Sequence, residues 1–281
     1  MPCEPTAALL SHAAQTRSAI GAFNIVHLET AEGLARAAED AEAPLILQIS
    51  ENCVAFHGGL EPLARATAAI AARSSAPLAL HLDHAENVDL ALEAVDLGFG
   101  SVMYDGAKLP YAQNVAHTRR VVEYAHAAGA IVEAELGEIG GKDGAHAPGV
   151  RTDPDEAQSF VDETGVDALA VAVGSSHAMT DRSATLDFAL IERLRDAVPV
   201  PLVLHGSSGV SDRDLQTAVA SGIAKVNVST HLTNVFTRRV RETLASDVRL
   251  VDSRKYIAPA RDAMSVEAAR LLRVLSGAPL D

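Results

Sequence analysis

Residues 78–106 read LALHLDHAENVDLALEAVDLGFGSVMYDG, and this stretch decides the fold. It opens with a short apolar run, Leu78–His84, whose polar residues gather at its end. An Ala- and charge-rich helical segment follows at Val88–Leu97, and then a second short run at Ser101–Gly106. That is one βα unit and the start of the next. Working outward, the same alternation recurs along the whole chain. The remaining strands are expected at Ile20–Val26, Leu45–Ser50, Ala130–Gly137, Ala168–Gly174, Pro201–Gly206 and Lys225–Thr230, which makes eight in all. Helical segments fall between them at Glu29–Ala41, Gln113–Ala128 and Phe188–Ala197. Asp153-Pro154 reads as an N-cap followed by a first-turn proline, opening a helix to Thr164. Ser211 reads as the N-cap of a helix that Gly222 stops. Eight β-then-α units predict an α/β fold of the (β/α)8 TIM-barrel class rather than an open doubly wound sheet. No GxGxxG follows the first strand, which argues against dinucleotide binding. A single barrel domain over residues 1–281 is expected, with a C-terminal helical extension at about 252–281. The Gly-rich stretch Gly137–Gly149 reads as a long, mobile loop.

Composition narrows the function. The chain of 281 residues carries 37 acidic and 23 basic side chains, a net charge of −14, and no Trp. This balance excludes a nucleic-acid or anionic-membrane surface, where a basic patch is required. The core must be filled by Ala, Val and Leu. Two cysteines, Cys3 and Cys53, form neither a disulfide framework nor a zinc-finger spacing, so a cytoplasmic location is expected. The first residues lack the basic-then-apolar pattern of a secretory leader. No apolar run approaches the about 20 residues needed to cross a bilayer.

Strands of a parallel barrel are buried on both faces, so polar residues within them need an explanation. Here they cluster at strand ends: Asn24, Ser50, His81, Asp83, His84, Asp105, Glu133, Glu135, His205 and Asn227, with His177 just beyond strand six. Read singly, each is an ordinary satisfied polar group. Together they mark the active-site mouth at the C-terminal end of a barrel. His84, His177 and His205 converge there from strands three, six and seven. Three imidazoles with an open position are a catalytic zinc arrangement. Asp83, beside the first of them, is placed for proton transfer, whereas His81 reads as structural. Gly206–Gly209 after strand seven, and Ser229 and Thr230 ending strand eight, offer backbone N–H groups and hydroxyls to a phosphate.

With these residues in place, the chain resembles the class II, metal-dependent ketose-bisphosphate aldolases of the fructose/tagatose-bisphosphate type. The matching pieces are GAFNI (21–25), LHLDH (80–84), GFGSVMYDGAKLP (98–110), VEAELGEIGG (132–141), TDPDEAQSFVDETGVDALAVAVGSSH (152–177), PLVLHGSSGV (201–210), KVNVST (225–230) and DSRKYIAPARDAM (252–264). They run in the family's order over nearly the full length.

The resemblance implies a lyase that cleaves a ketose (bis)phosphate reversibly to dihydroxyacetone phosphate and an aldehyde, through an enediolate stabilised by zinc. It implies His84, His177 and His205 as ligands of the Zn2+ and Asp83 as the acid/base. Substrate-binding positions are Asn24, Ser50, Ala178, Gly206, Ser207, Ser208, Asn227, Ser229, Thr230 and Arg254. Arg254 matches an arginine that reaches a neighbouring subunit's substrate, which implies a homodimer or homotetramer. A monovalent cation near the phosphate is common in the family. In some members a second metal is held by carboxylates matching Asp105 and Glu135. No Schiff-base lysine is expected inside the barrel, Lys225 being placed at the start of strand eight.

The chain also departs from the family pattern. Ala178 stands where Gly usually follows the second zinc histidine. Ser229 and His231 stand where fructose-bisphosphate members carry acidic residues, and the loop reads GGKDG. Two other readings stay open on sequence: a metal-dependent barrel hydrolase, and a family member that has lost activity and serves binding or assembly.

Overall fold

Eight parallel strands, each hydrogen-bonded to the next and the last to the first, close into a barrel. The computed structural model describes residues 4–136, 151–175 and 184–279. The expected loop Gly137–Gly149, together with His177 and Ala178, lies outside the described residues. The first half of the chain runs α1 (Thr6–Thr16), β1 (Ile20–Asn24), α2 (Leu28–Ala41), β2 (Leu45–Ser50), α3 (Glu51–His57), α4 (Glu61–Ala71), β3 (Leu78–Ala85), α5 (Val88–Asp96) and β4 (Ser101–Tyr104). The second half runs α6 (Tyr111–Ala127), β5 (Ile131–Glu135), α7 (Pro154–Thr164), β6 (Ala168–Ala170), α8 (Phe188–Ala197), β7 (Leu202–Leu204), α9 (Asp212–Ser221), β8 (Ile223–Val228), α10 (Thr230–Ser246) and α11 (Arg254–Leu275). This is the expected (β/α)8 architecture. Among the described helices, none is long and apolar enough to cross a membrane.

Strand alternation sorts the core into two shells. Leu45, Leu47 and Ile49 of β2 face outward and join Leu34 and Ala38 of α2 in the main core. Ile46 faces inward, meeting Ala22, Ala79 and Ala224. A second inner cluster holds Met103, Ala168, Ala170 and Val203. Leu10 and Ala13 of α1 belong to these inner clusters, so α1 plugs the N-terminal end of the barrel.

An interior lined so heavily by alanine leaves room for long side chains from neighbouring strands. Gln48, His81, Glu133 and Lys225 fill it and are fully buried. The placement of Lys225 corrects the sequence expectation. Strand β8 begins at Ile223, two residues earlier than expected, and carries Lys225 into the barrel interior.

Several strands are shorter than their apolar runs because side chains capture the backbone that would have continued the ladder. After β1, the N–H groups of Val26 and His27 donate to Thr30 Oγ1. After β6, Ala172 N–H donates to Thr152 Oγ1. Gly206, with φ +64°, turns the chain two residues after the end of β7.

Outside the barrel, α11 buries Ala268, Leu271, Leu272 and Leu275 and packs on α2 and α10. The approach of α11 to α2 needs Gly33, where a Cβ would meet Arg261 Cγ at 3.0 Å and Met264 Cε at 3.2 Å.

Candidate active site

Asp83 and His84 are consecutive on β3, and on a regular strand they would face opposite sides of the sheet. Two local features bring both to the barrel mouth. The β3–β4 register shifts between Leu82 and Ala85, and His84 adopts a left-handed backbone with φ +51°. For a residue with a Cβ that conformation costs on the order of 1–3 kcal/mol. It is sustained here by the contacts of the His84 ring.

The mouth holds a cavity of about 560 Å³. Its walls include Asn24, Ser50, Asp83, His84, Gly206, Ser207, Ser208, Asn227, Ser229 and Thr230. These residues come from β1, β2, β3, β8, the turn after β7 and the start of α10, so the described substrate-binding candidates meet at one place, apart from Arg254. Arg254 lies at the start of α11, away from the cavity walls, and donates to both carboxylate oxygens of Asp252 at 3.0 Å each. His177 and Ala178 are outside the described residues.

His84 and His205 meet below the cavity floor. His84 Nε2 lies 2.9 Å from His205 Nδ1. The other nitrogen of each ring faces a carboxylate: His84 Nδ1 lies 2.7 Å from Asp105 Oδ2, and His205 Nε2 lies 2.9 Å from Glu133 Oε1. A carboxylate accepts only, so against these two partners each outer nitrogen carries the hydrogen. In the neutral rings, the two inner nitrogens then point lone pairs at each other, an arrangement that calls for a cation or a shared proton. Glu135 completes the group, its oxygen and the two histidine nitrogens all lying within 4.8 Å of one another. Two imidazoles and a carboxylate, with the outer nitrogens tied to further carboxylates, suit a divalent metal such as zinc. Asp105 accepts from His84, and Glu135 shares the cluster with both histidines.

Asp83 stands beside this cluster with both oxygens engaged. Oδ2 accepts from Asn24 Nδ2 at 2.9 Å, and Oδ1 accepts from Asn227 Nδ2 at 3.2 Å. Burial alone would raise its pKa. Positive charge at the His84–His205 pair, the Lys225 ammonium and the Asn24 hydrogen bond outweigh that and hold it below the usual carboxylate value. A buried carboxylate kept ionised in this way can take a proton from a substrate hydroxyl. Asn227 Oδ1 is buried with no hydrogen-bond partner among the described residues, which leaves an acceptor at the edge of the cavity.

The loop after β7 forms a turn of 3-10 helix, Ser207–Gly209, entered through the left-handed Gly206. Ser207 Oγ donates to the Asn227 carbonyl, tying this loop to β8. Ser208 Oγ accepts from the backbone N–H of His231 in the first turn of α10, at 3.1 Å. Loop and helix start are thus held as one unit, with N–H groups and hydroxyls available to an anion.

Three contributors escaped the sequence reading. Gln48 lines the cavity and donates to Asn24 Oδ1 at 2.8 Å, fixing the amide that in turn donates to Asp83. Its position in mid-strand, rather than at a strand end, hid it. Lys108 is the one lysine or arginine among the described cavity walls and pairs with Glu86 at 3.3 Å. Lys225 sits beneath the site, 2.6 Å from Glu133. His81 matches its structural reading: burial, aided by the Lys225 charge, pushes its pKa well down, and Nδ1 faces Ser101 Oγ at 2.8 Å.

A family model described as "Fructose-bisphosphate aldolase class-II" matches residues 4–278. The chain is 39% identical to the fructose-bisphosphate aldolase of Geobacillus stearothermophilus and 38% identical to that of Staphylococcus aureus, covering 94% of each sequence. Among solved structures, the YdjI aldolase of Escherichia coli K12 superposes with a TM-score of 0.83 at 31% identity, over 97% of both chains.

Proposed function

The chain belongs to the class II fructose-bisphosphate aldolase family, and on that premise we propose that it cleaves a ketose phosphate or bisphosphate reversibly, with bound zinc, to dihydroxyacetone phosphate and an aldehyde such as glyceraldehyde 3-phosphate. The observation that carries the reading is the pair of facing imidazole nitrogens, 2.9 Å apart, beside the buried Asp83 carboxylate. His84 and His205 would hold the metal, with His177 as the third ligand and Glu135 within reach. When bound, zinc supplies a Lewis acid that stabilises negative charge developing on the substrate's oxygens.

The chain's own residues do the rest. Asp83 takes the proton of the C4 hydroxyl as the C3–C4 bond breaks, and returns it in condensation. Asn227, whose Nδ2 is committed to Asp83, offers Oδ1 to a substrate hydroxyl and so orients the reacting carbons. Gly206, Ser207, Ser208, Ser229 and Thr230 receive the phosphate. Asn24 and Ser50 flank the reacting end, and Ala178 belongs to the same binding set. In a homodimer or homotetramer, Arg254 serves the site of a neighbouring copy. We further take residues 1–281 as one domain, working in the cytoplasm, with a monovalent cation beside the phosphate. The relatives are aldolases and favour neither a hydrolase nor an inactive binding protein.

Exchange of the α-proton of dihydroxyacetone phosphate with D2O, followed by NMR, tests the reading without knowledge of the aldehyde. Exchange is expected with the zinc-loaded chain, lost after chelation and restored by Zn2+. Exchange that is absent, or indifferent to metal, would sink it.

A further inference from the structure

We propose that Lys225 is a positioning residue for the metal: acting through Glu133, it holds His205 in the tautomer that presents Nδ1 as an electron-pair donor. The inference rests on the reading of the site as a metal centre. It begins from a conflict at His205 Nε2, which has two neighbours that would impose opposite tautomers. Glu133 Oε1 lies 2.9 Å away and accepts a hydrogen. Asn227 Nδ2 lies 3.1 Å away and offers one. If the asparagine prevailed, Nε2 would be the acceptor and Nδ1 would carry the hydrogen, pointing it at His84 and closing the ring to metal.

Lys225 decides between the two. Its side chain is fully buried, with Nζ 2.6 Å from Glu133 Oε2. The ammonium pins one carboxylate oxygen and so aims the other at His205. A weaker contact from Nζ to His81 Nε2, at 3.4 Å, steadies the ammonium from the side. Asn227 Nδ2 then turns to its second acceptor, Asp83 Oδ1. The chain Lys225–Glu133–His205 thus runs from the inside of the barrel up to the metal. This arrangement also accounts for an internal lysine in an aldolase barrel without a Schiff base, because an ammonium buried and ion-paired in this way is not a nucleophile.

The test is Zn2+ affinity of the full chain, measured by competition with a chromophoric chelator, alongside thermal melting. Lys225→Met is expected to weaken Zn2+ binding about 10- to 100-fold, the range typical when a metal-binding histidine loses its supporting partner. Lys225→Arg, which keeps the charge, should recover most of that loss. Glu133→Gln is the second variant should Lys225→Met fail to fold, and it should weaken binding to a similar degree. The double variant should be no worse than either single one, because both break one chain of contacts. An ion pair that is merely structural would lower the melting temperature and leave affinity alone. A folded Lys225→Met or Glu133→Gln protein with wild-type Zn2+ affinity therefore overturns the proposal. A wild-type chain that binds no Zn2+ overturns the metal reading itself, and that result precedes any variant.

Discussion

Asp83 is bonded through both oxygens to amides that are themselves anchored, Asn24 by Gln48 and Asn227 by its place on β8. The carboxylate therefore has little freedom to swing, and the proton transfer proposed for it would depend on where β1 and β8 hold it. Asp83→Ala is expected to cut cleavage by about 10²- to 10⁴-fold, the usual worth of a positioned acid/base. Metal content, measured on the purified variant, should stay at the wild-type level. Loss of zinc together with activity would instead make Asp83 a support of the metal. Asp83, His84 and His205 were legible in the sequence because ionisable residues at the ends of apolar strands need a reason to be there. Lys225 and Gln48 were not, because nothing in a one-dimensional pattern shows that alanines on adjacent strands have left space for a long side chain.

Two helix starts were readable because an adjacent cap side chain sets each of them. Asp153 caps α7, its Oδ1 accepting from the N–H groups of Asp155 and Glu156. Ser211 caps α9 by accepting from Asp214 N–H. Asp153→Ala should cost about 1 kcal/mol. That loss would show in denaturant unfolding as a lower midpoint at unchanged slope; a midpoint equal to wild type would mean that the cap carries no net stability. The bulge in β3 was not readable. A left-handed histidine has no propensity signal, and the register shift depends on the neighbouring β4. The same holds for the early ends of β1 and β6, where Thr30 and Thr152 from other segments claim the backbone.

Across the whole molecule, the two helices beyond β8 are coupled to the candidate phosphate loop by a polar chain. His231 at the start of α10 meets Glu267 of α11 at 2.6 Å. Arg270, also on α11, bridges Glu267 to Asp212 in the first turn of α9. Burial would raise the Glu267 pKa, but the hydrogen bonds from His231 and Arg270 bring it from 4.5 to about 2. A carboxyl depressed on folding stabilises the protein above its unfolded pKa, and that contribution is lost as pH falls through the folded value. Glu267→Gln should therefore destabilise by about 2 kcal/mol at neutral pH, allowing for partial exposure. The gap between variant and wild type, measured by denaturant unfolding, should shrink as the pH is lowered from about 5 toward 2. A gap independent of pH would remove Glu267 as its source.

Closure of the barrel joins Ile20–Phe23 to Lys225–Val228, strands from opposite ends of the chain. A ribosome adding about 5–20 residues each second delivers β8 some tens of seconds after β1. Throughout that interval the first strand has one edge without its final neighbour, and the plug α1 lacks its contacts with β8. The sheet thus stays open until β8 has been made, and the tie that finishes it has to wait for the last strand.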